Sequence, residues 1–219
     1  MENETIITEE KILELYGDYI LHHGKKPDNV YLFAKENGFE EKDFYVHFSS
    51  FEQIDKKILS SLFLQSVELS STADGFENAS SKEKMLNTYF IFFENLTMNR
   101  SLVLKVLGHN KIYFTKVSSE LREAHQRFVK TLNFNEWEII SKAKDNIKNI
   151  SEKAKEQLLW AHLVSAVEFW KKDTSPSFEK TDLYLEKTID TGFDLIDNEP
   201  LRKVMDLGKF LFKETFKKN

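Results

Sequence analysis

The chain has 219 residues, 41% of them hydrophobic and 19 of them Phe, enough to bury a sizeable core in one or two domains. Seven Gly and three Pro argue against a turn-rich β protein and for long helices, while the absence of cysteine removes disulfides and thiolate chemistry. A net charge of −5 gives no general attraction to nucleic acid, so any basic surface must be local. The opening MENETIITEE has four acids and no base, unlike a secretory lead, and no apolar run approaches membrane-span length. With no cysteine, these features point to the cytoplasm.

Taken in order, the chain reads as a succession of helices. Ile12, Leu15, Tyr16, Tyr19 and Ile20 recur at three- and four-residue spacing and predict a helix over 8–23, closed by Gly24. Asp28 reads as the N-cap of a helix through Asn37, Gly38 supplies a tight turn, and a second short helix follows from about Glu40 to Val46. Ser50 caps the next, over 50–72, with Ile54, Ile58, Leu62 and Val67 inward. After the loop 70–81, helices are expected near 82–97, 100–107, 110–132, 135–148, 151–172, 176–197 and 200–216, with Ser175-Pro176 as a start signal.

Within this series, Val30 to Ile54, VYLFAKENGFEEKDFYVHFSSFEQI, carries the strongest signature. Ala34 falls at the junction of two short helices, Gly38 in the turn, Phe44-Tyr45 on the second helix with His47-Phe48 at its end, and Ser50 with Glu52 at the start of the third. This arrangement resembles the N-terminal domain of the TetR family of bacterial regulators, and the likeness extends over roughly residues 8–58. The resemblance implies an all-α fold: a small helix-turn-helix head, residues 1–50, that reads DNA, and a larger body, residues 51–219, that binds a small ligand and dimerises through its last long helices.

The head departs from that pattern in charge. Residues 9–58 hold seven Lys against eleven acids, a net of −4, the wrong sign for a polyanion. DNA contact through residues 28–48 then depends on local anchors: Lys25, Lys26, Lys42 and Lys56 for phosphates, Tyr45 and His47 at the helix end, and Glu41 as an acceptor toward cytosine. Glu40, Glu41 and Asp43 have a simpler reading as first-turn acids that complement the helix dipole, and His47 one as a packing residue.

In the body, Tyr89, Phe90, Phe92 and Phe93 lie within five residues and cannot all face one core seam, so some of them line a second surface. In a TetR-like body they would face Leu107, Tyr113, Phe114, Val117, Leu121 and Phe128, with Trp160 and Val164 from a later helix, around an apolar cavity. His125, His162 and Tyr113 are the polar groups that orient a ligand head there, and the lining implies a fatty-acid-like or aromatic molecule. A solid aromatic core is the alternative. Leu159, Leu163, Ala166, Phe169 and Trp170 form an apolar stripe, as do Phe178, Leu185, Ile189 and Phe193; two such helices from each subunit make a homodimer interface, unless both stripes are buried within one subunit.

A second, shorter likeness concerns Trp170-x-x-Asp173-x-Ser175 with Thr181 and Tyr184-Leu185. It is similar to the TetR-like lipid-binding proteins of ubiquinone biosynthesis, which keep the fold without DNA binding and imply a lipid or hydrophobe carrier as the rival reading. Residues 199–219 carry six bases against three acids on an amphipathic pattern, which fits either a packed terminal helix or peripheral membrane contact.

Enzymatic readings find little support. The six His are scattered without the helical spacing of a zinc site, and Gly-rich phosphate loops and nucleophile elbows are lacking, so no catalytic residue, metal or cofactor is assigned. The sequence therefore points to a non-enzymatic, ligand-responsive transcriptional regulator.

Overall fold

The first helix, α1 (Glu9–His23), starts where the Thr8 hydroxyl accepts from the Lys11 N–H at 3.2 Å and stops at Gly24, whose φ of 65° lets its N–H reach Ile20 O. The computed structural model describes residues 7–108, 110–132 and 152–197, and every regular element among them is helical. Helix α2 (Val30–Glu36) is capped by Asn29, whose Oδ1 accepts from the Leu32 N–H at 2.8 Å. The cap had been expected one residue earlier; Asp28 instead pairs with Lys25 at 3.0 Å. Gly38, at φ 74°, makes the turn, Phe39 N–H closes on Ala34 O at 3.1 Å, and α3 (Glu41–His47) follows. Ser50 opens α4 (Phe51–Ser71) by accepting from the Gln53 N–H.

These four helices close around Ile12, Tyr16, Ile20, Phe33, Phe44, Phe48 and Ile54. Phe51 completes the cluster, stacking on Tyr16 at 5.3 Å and meeting Phe33 edge-on at 5.5 Å. Burying so many rings in a head of this size supplies its stability.

A 3-10 turn (Phe76–Asn78) leads into α5 (Ser81–Met98), α6 (Arg100–Leu107), α7 (Lys111–Val117), α8 (Ser119–Thr131), α9 (Glu152–Lys172) and, after a second 3-10 turn (Pro176–Phe178), α10 (Glu179–Asp197). Two boundaries differ from the sequence reading. The helix expected over 110–132 is broken at Ser118, whose ψ of 4° leaves the helical region. The helix expected from 176 begins at Glu179, because Ser177 (φ 51°) and Phe178 (φ 58°) are left-handed and an α-helix cannot run through them. The helices expected near 135–148 and 200–216 lie outside the described residues.

Asp173 fixes the start of α10. Its Oδ1 accepts from the Ser175 N–H and hydroxyl (2.8 and 2.7 Å) and its Oδ2 from those of Thr181 (2.9 and 2.7 Å). Burial alone would raise this carboxyl, but the four donors outweigh it and hold the pKa at about 2. A depressed pKa stabilises the fold above the ordinary carboxylate range, and that stability is lost as pH falls toward 2. Asp173→Asn is therefore expected to cost about 2 kcal/mol at pH 7. In urea unfolding, the gap to the parent should close as the pH is lowered from 5 to 2.

The chain divides into two compact units. Met1–Leu69 and Ile91–Phe128 form the first. In it a Cβ at Gly17 would lie 3.4 Å from Leu102, so the glycine lets α6 approach α1 closely, and Phe63 packs against Phe92, Phe128 and His125. Ser70–Phe90 and Val129–Asn219 form the second, with Leu163, Ala166, Trp170 and Leu185 in its core. The head of residues 1–50 thus shares its compact unit with residues 91–128.

Candidate functional site

The helix-turn-helix presents α3 outward, with Tyr45 52% and Val46 75% exposed and Lys42 beside them. Of the acids at the start of α3, Asp43 caps the helix and the other two pair with neighbouring side chains. Glu40 N–H donates to Asp43 Oδ2 at 3.3 Å, the Glu40 carboxylate pairs with Lys42 at 2.8 Å, and the Tyr45 hydroxyl donates to Glu41 at 3.4 Å. His47 is tied down as well: its Nε2 donates to Ile7 O at 2.9 Å.

All four lysines nominated for phosphate contact are held in ion pairs. Lys25 pairs with Asp28 at 3.0 Å, Lys42 with Glu40 at 2.8 Å, Lys56 with Glu52 at 2.9 Å, and Lys26 with Asp55 at 2.6 Å. Three of these are exposed or partly exposed pairs between neighbours in sequence, worth little and readily exchanged for a phosphate.

Lys26 is different, because its partner is fully buried. Asp55 on α4 accepts from the Tyr16 hydroxyl (2.9 Å), from Lys26 Nζ and from the Tyr113 hydroxyl. Lys26 Nζ also donates to the Tyr113 oxygen at 2.7 Å and lies 4.3 Å from that ring's centre. Burial raises the Asp55 carboxyl above its ordinary value in spite of these donors, and raises both tyrosine hydroxyls, which share their protons with it. Gly108, at φ 65°, admits the Tyr113 ring, since a Cβ there would lie 3.0 Å from it. Tyr113, assigned by sequence to a ligand cavity, joins α7 to α1 and α4 through this cluster.

The other cavity candidates are divided between the units. Phe93, Leu107, Val117, Leu121, His125 and Phe128 are buried in the first, where Phe114 is half-buried. In the second, Tyr89 is fully buried and stacks on His162 (5.8 Å between centres, 12° between planes), while Phe90, Trp160 and Val164 are half-buried. Of the dimer candidates, Leu159, Leu163, Ala166, Trp170, Leu185 and Ile189 are buried within the chain itself. Phe169 stacks on Tyr184 at 4.5 Å, Phe178 is half-buried, and the Phe193 side chain lies outside the described residues. Exposed instead are Leu158 (60%) on α9 and Leu183 (47%) on α10.

A family model described as the tetracyclin repressor-like C-terminal domain matches residues 84–211, more than half of the chain. The chain belongs to the TetR family. No curated protein and no solved structure matches it. The TetR assignment rests on the body, whereas the helix-turn-helix signature lies in residues 8–58, so two stretches that share no residue agree. The fold is the TetR-like all-α fold, and the protein is a TetR-family regulator in the general sense. Among its described residues no helix is long and apolar enough to cross a membrane. What the sequence reading of this TetR protein missed is the pairing of Lys26 with Asp55; the signal was an acid at position 55, directly after Ile54 on the inward stripe of α4.

Proposed function

We propose that this TetR-family protein is a ligand-responsive transcriptional regulator. In this reading a cytoplasmic homodimer binds duplex DNA through residues 28–48 and an apolar small molecule in the helical body releases it. The observation that supports it is the outward face of α3, where Tyr45, Val46 and Lys42 stand on a helix-turn-helix whose turn glycine has the required positive φ. Affinity for DNA is weak and salt-sensitive, because residues 9–58 carry a net charge of −4 and few lysines are placed to meet phosphates. The ion pairs of Lys25, Lys42 and Lys56 favour a second reading, a lipid or hydrophobe carrier that keeps the fold without binding DNA. There the basic segment 199–219, outside the described residues, provides peripheral membrane contact.

Selection of duplexes from a random pool at low salt tests the two. Enrichment of a palindrome supports the regulator; recovery of unenriched DNA overturns it in favour of the carrier.

The dimer is built on the outer faces of α9 and α10. Among the described side chains, Leu158 and Leu183 are the large apolar ones those helices leave exposed, and burying them against a second copy removes that area from water. Leu158→Glu with Leu183→Glu should shift the mass from light scattering toward the monomer at micromolar concentration, with the helical circular dichroism unchanged. A parent protein that is already monomeric would end the dimer proposal.

A further inference from the structure

The second unit contains a histidine whose tautomer follows from its hydrogen bonds. The Thr188 hydroxyl on α10 lies 2.7 Å from Tyr184 O and 3.4 Å from Leu185 O, carbonyls that only accept, so its single proton is committed there. His162 Nε2 on α9, 2.8 Å from the same hydroxyl oxygen, must then be the donor in that contact. The proton of a neutral imidazole is therefore on Nε2 and the lone pair on Nδ1. That Nδ1 is buried and has no hydrogen-bond partner among the described residues. Burial also lowers the ring's pKa, which keeps it neutral at pH 7, and the Tyr89 ring stacked on it restricts its tilt. A buried acceptor with no donor is costly, and folded proteins retain few of them.

We propose that His162 Nδ1 is the acceptor for the polar head of the ligand, and that the ligand is an apolar molecule bearing a hydroxyl, such as a long-chain or isoprenoid alcohol. The inference rests on the reading of the body as a ligand-binding domain and narrows it. A carboxylate offers only acceptors to a lone pair, and an ether or a hydrocarbon offers no donor, so none of them satisfies Nδ1. A hydroxyl supplies the donor that Nδ1 lacks, and the apolar remainder of the ligand needs no polar partner.

The test uses the full-length protein with three probes of one chain length: 1-dodecanol, its methyl ether and dodecanoate. Binding is read from tryptophan emission, since Trp160 lies two residues from His162, and from the ¹⁵N resonance of Nδ1. Dodecanol is expected to bind about tenfold more tightly than either of the others and to move that resonance away from its free lone-pair position. His162→Phe should abolish the preference, and His162→Asn, with an amide oxygen near the Nδ1 position, should keep part of it. Equal binding of all three probes, or an unmoved Nδ1 resonance at saturating dodecanol, overturns the proposal; the resonance is read on the parent protein, so this result does not depend on how the variants fold. Binding of the ether or dodecanoate without dodecanol overturns the hydroxyl assignment and leaves the apolar-effector reading intact. Binding of none overturns both.

Discussion

Replacing Lys26 with methionine is expected to destabilise the protein by about 3–5 kcal/mol at pH 8, the cost of leaving a buried carboxylate without its cation. Asp55 is fully buried and would keep only the hydroxyls of Tyr16 and Tyr113. Its pKa is already raised by burial, and removing the ammonium group raises it further. The sign is that of a raised acid: the folded state favours the protonated form, so stability is complete below the ordinary carboxylate range and declines as pH rises through the folded value. The penalty of Lys26→Met should therefore shrink as the pH falls toward 4. Lys26→Met with Asp55→Asn should recover most of the loss at pH 8, because the charge is gone and an acceptor for a tyrosine remains. Urea unfolding of the four proteins forms a double-mutant cycle. Equal midpoints for parent and Lys26→Met at pH 8 would mean that the cluster is not held as described.

Glu40→Lys with Glu41→Lys is expected to raise affinity for random duplex DNA by roughly 10- to 100-fold at low salt and to steepen the dependence on salt. Each reversal turns a repulsive charge into one that releases a counterion. The Glu40 change also frees Lys42 from its 2.8 Å ion pair, while the Asp43 carboxylate that accepts from the residue 40 N–H stays in place. Fluorescence anisotropy with a labelled duplex across a salt series measures both quantities. If the double variant binds no better than the parent, α3 is not presented to DNA.

The head was legible from sequence because its signature residues have local causes. Gly24 and Gly38 take positive φ where a cap and a turn require it, Ser50 caps α4, and Ala34 is buried at the α2 to α3 junction. Partners distant in the chain were not legible. Lys26, Asp55 and Tyr113 carry no shared periodicity, so the lysine read as a free cation and the tyrosine as a cavity wall. Periodicity also finds a buried face without saying what covers it. The stripe through Leu163, Ala166 and Trp170 fits a subunit interface or a core within one subunit equally well by its spacing, and these residues are buried within the chain. The late start of α10 escaped for a related reason: Ser175-Pro176 is a sound helix signal, yet Ser177 and Phe178 turn left-handed and the helix begins only at Glu179, where the distant Asp173 accepts from Thr181 in the first turn.

Native mass spectrometry of the full-length protein with a selected duplex, recorded before and after addition of 1-dodecanol, tests the regulator reading most directly. Two protomers on one duplex, released as the alcohol binds, is the predicted result. A protein that takes up the alcohol while never forming a complex with the duplex would contradict that reading and identify a carrier.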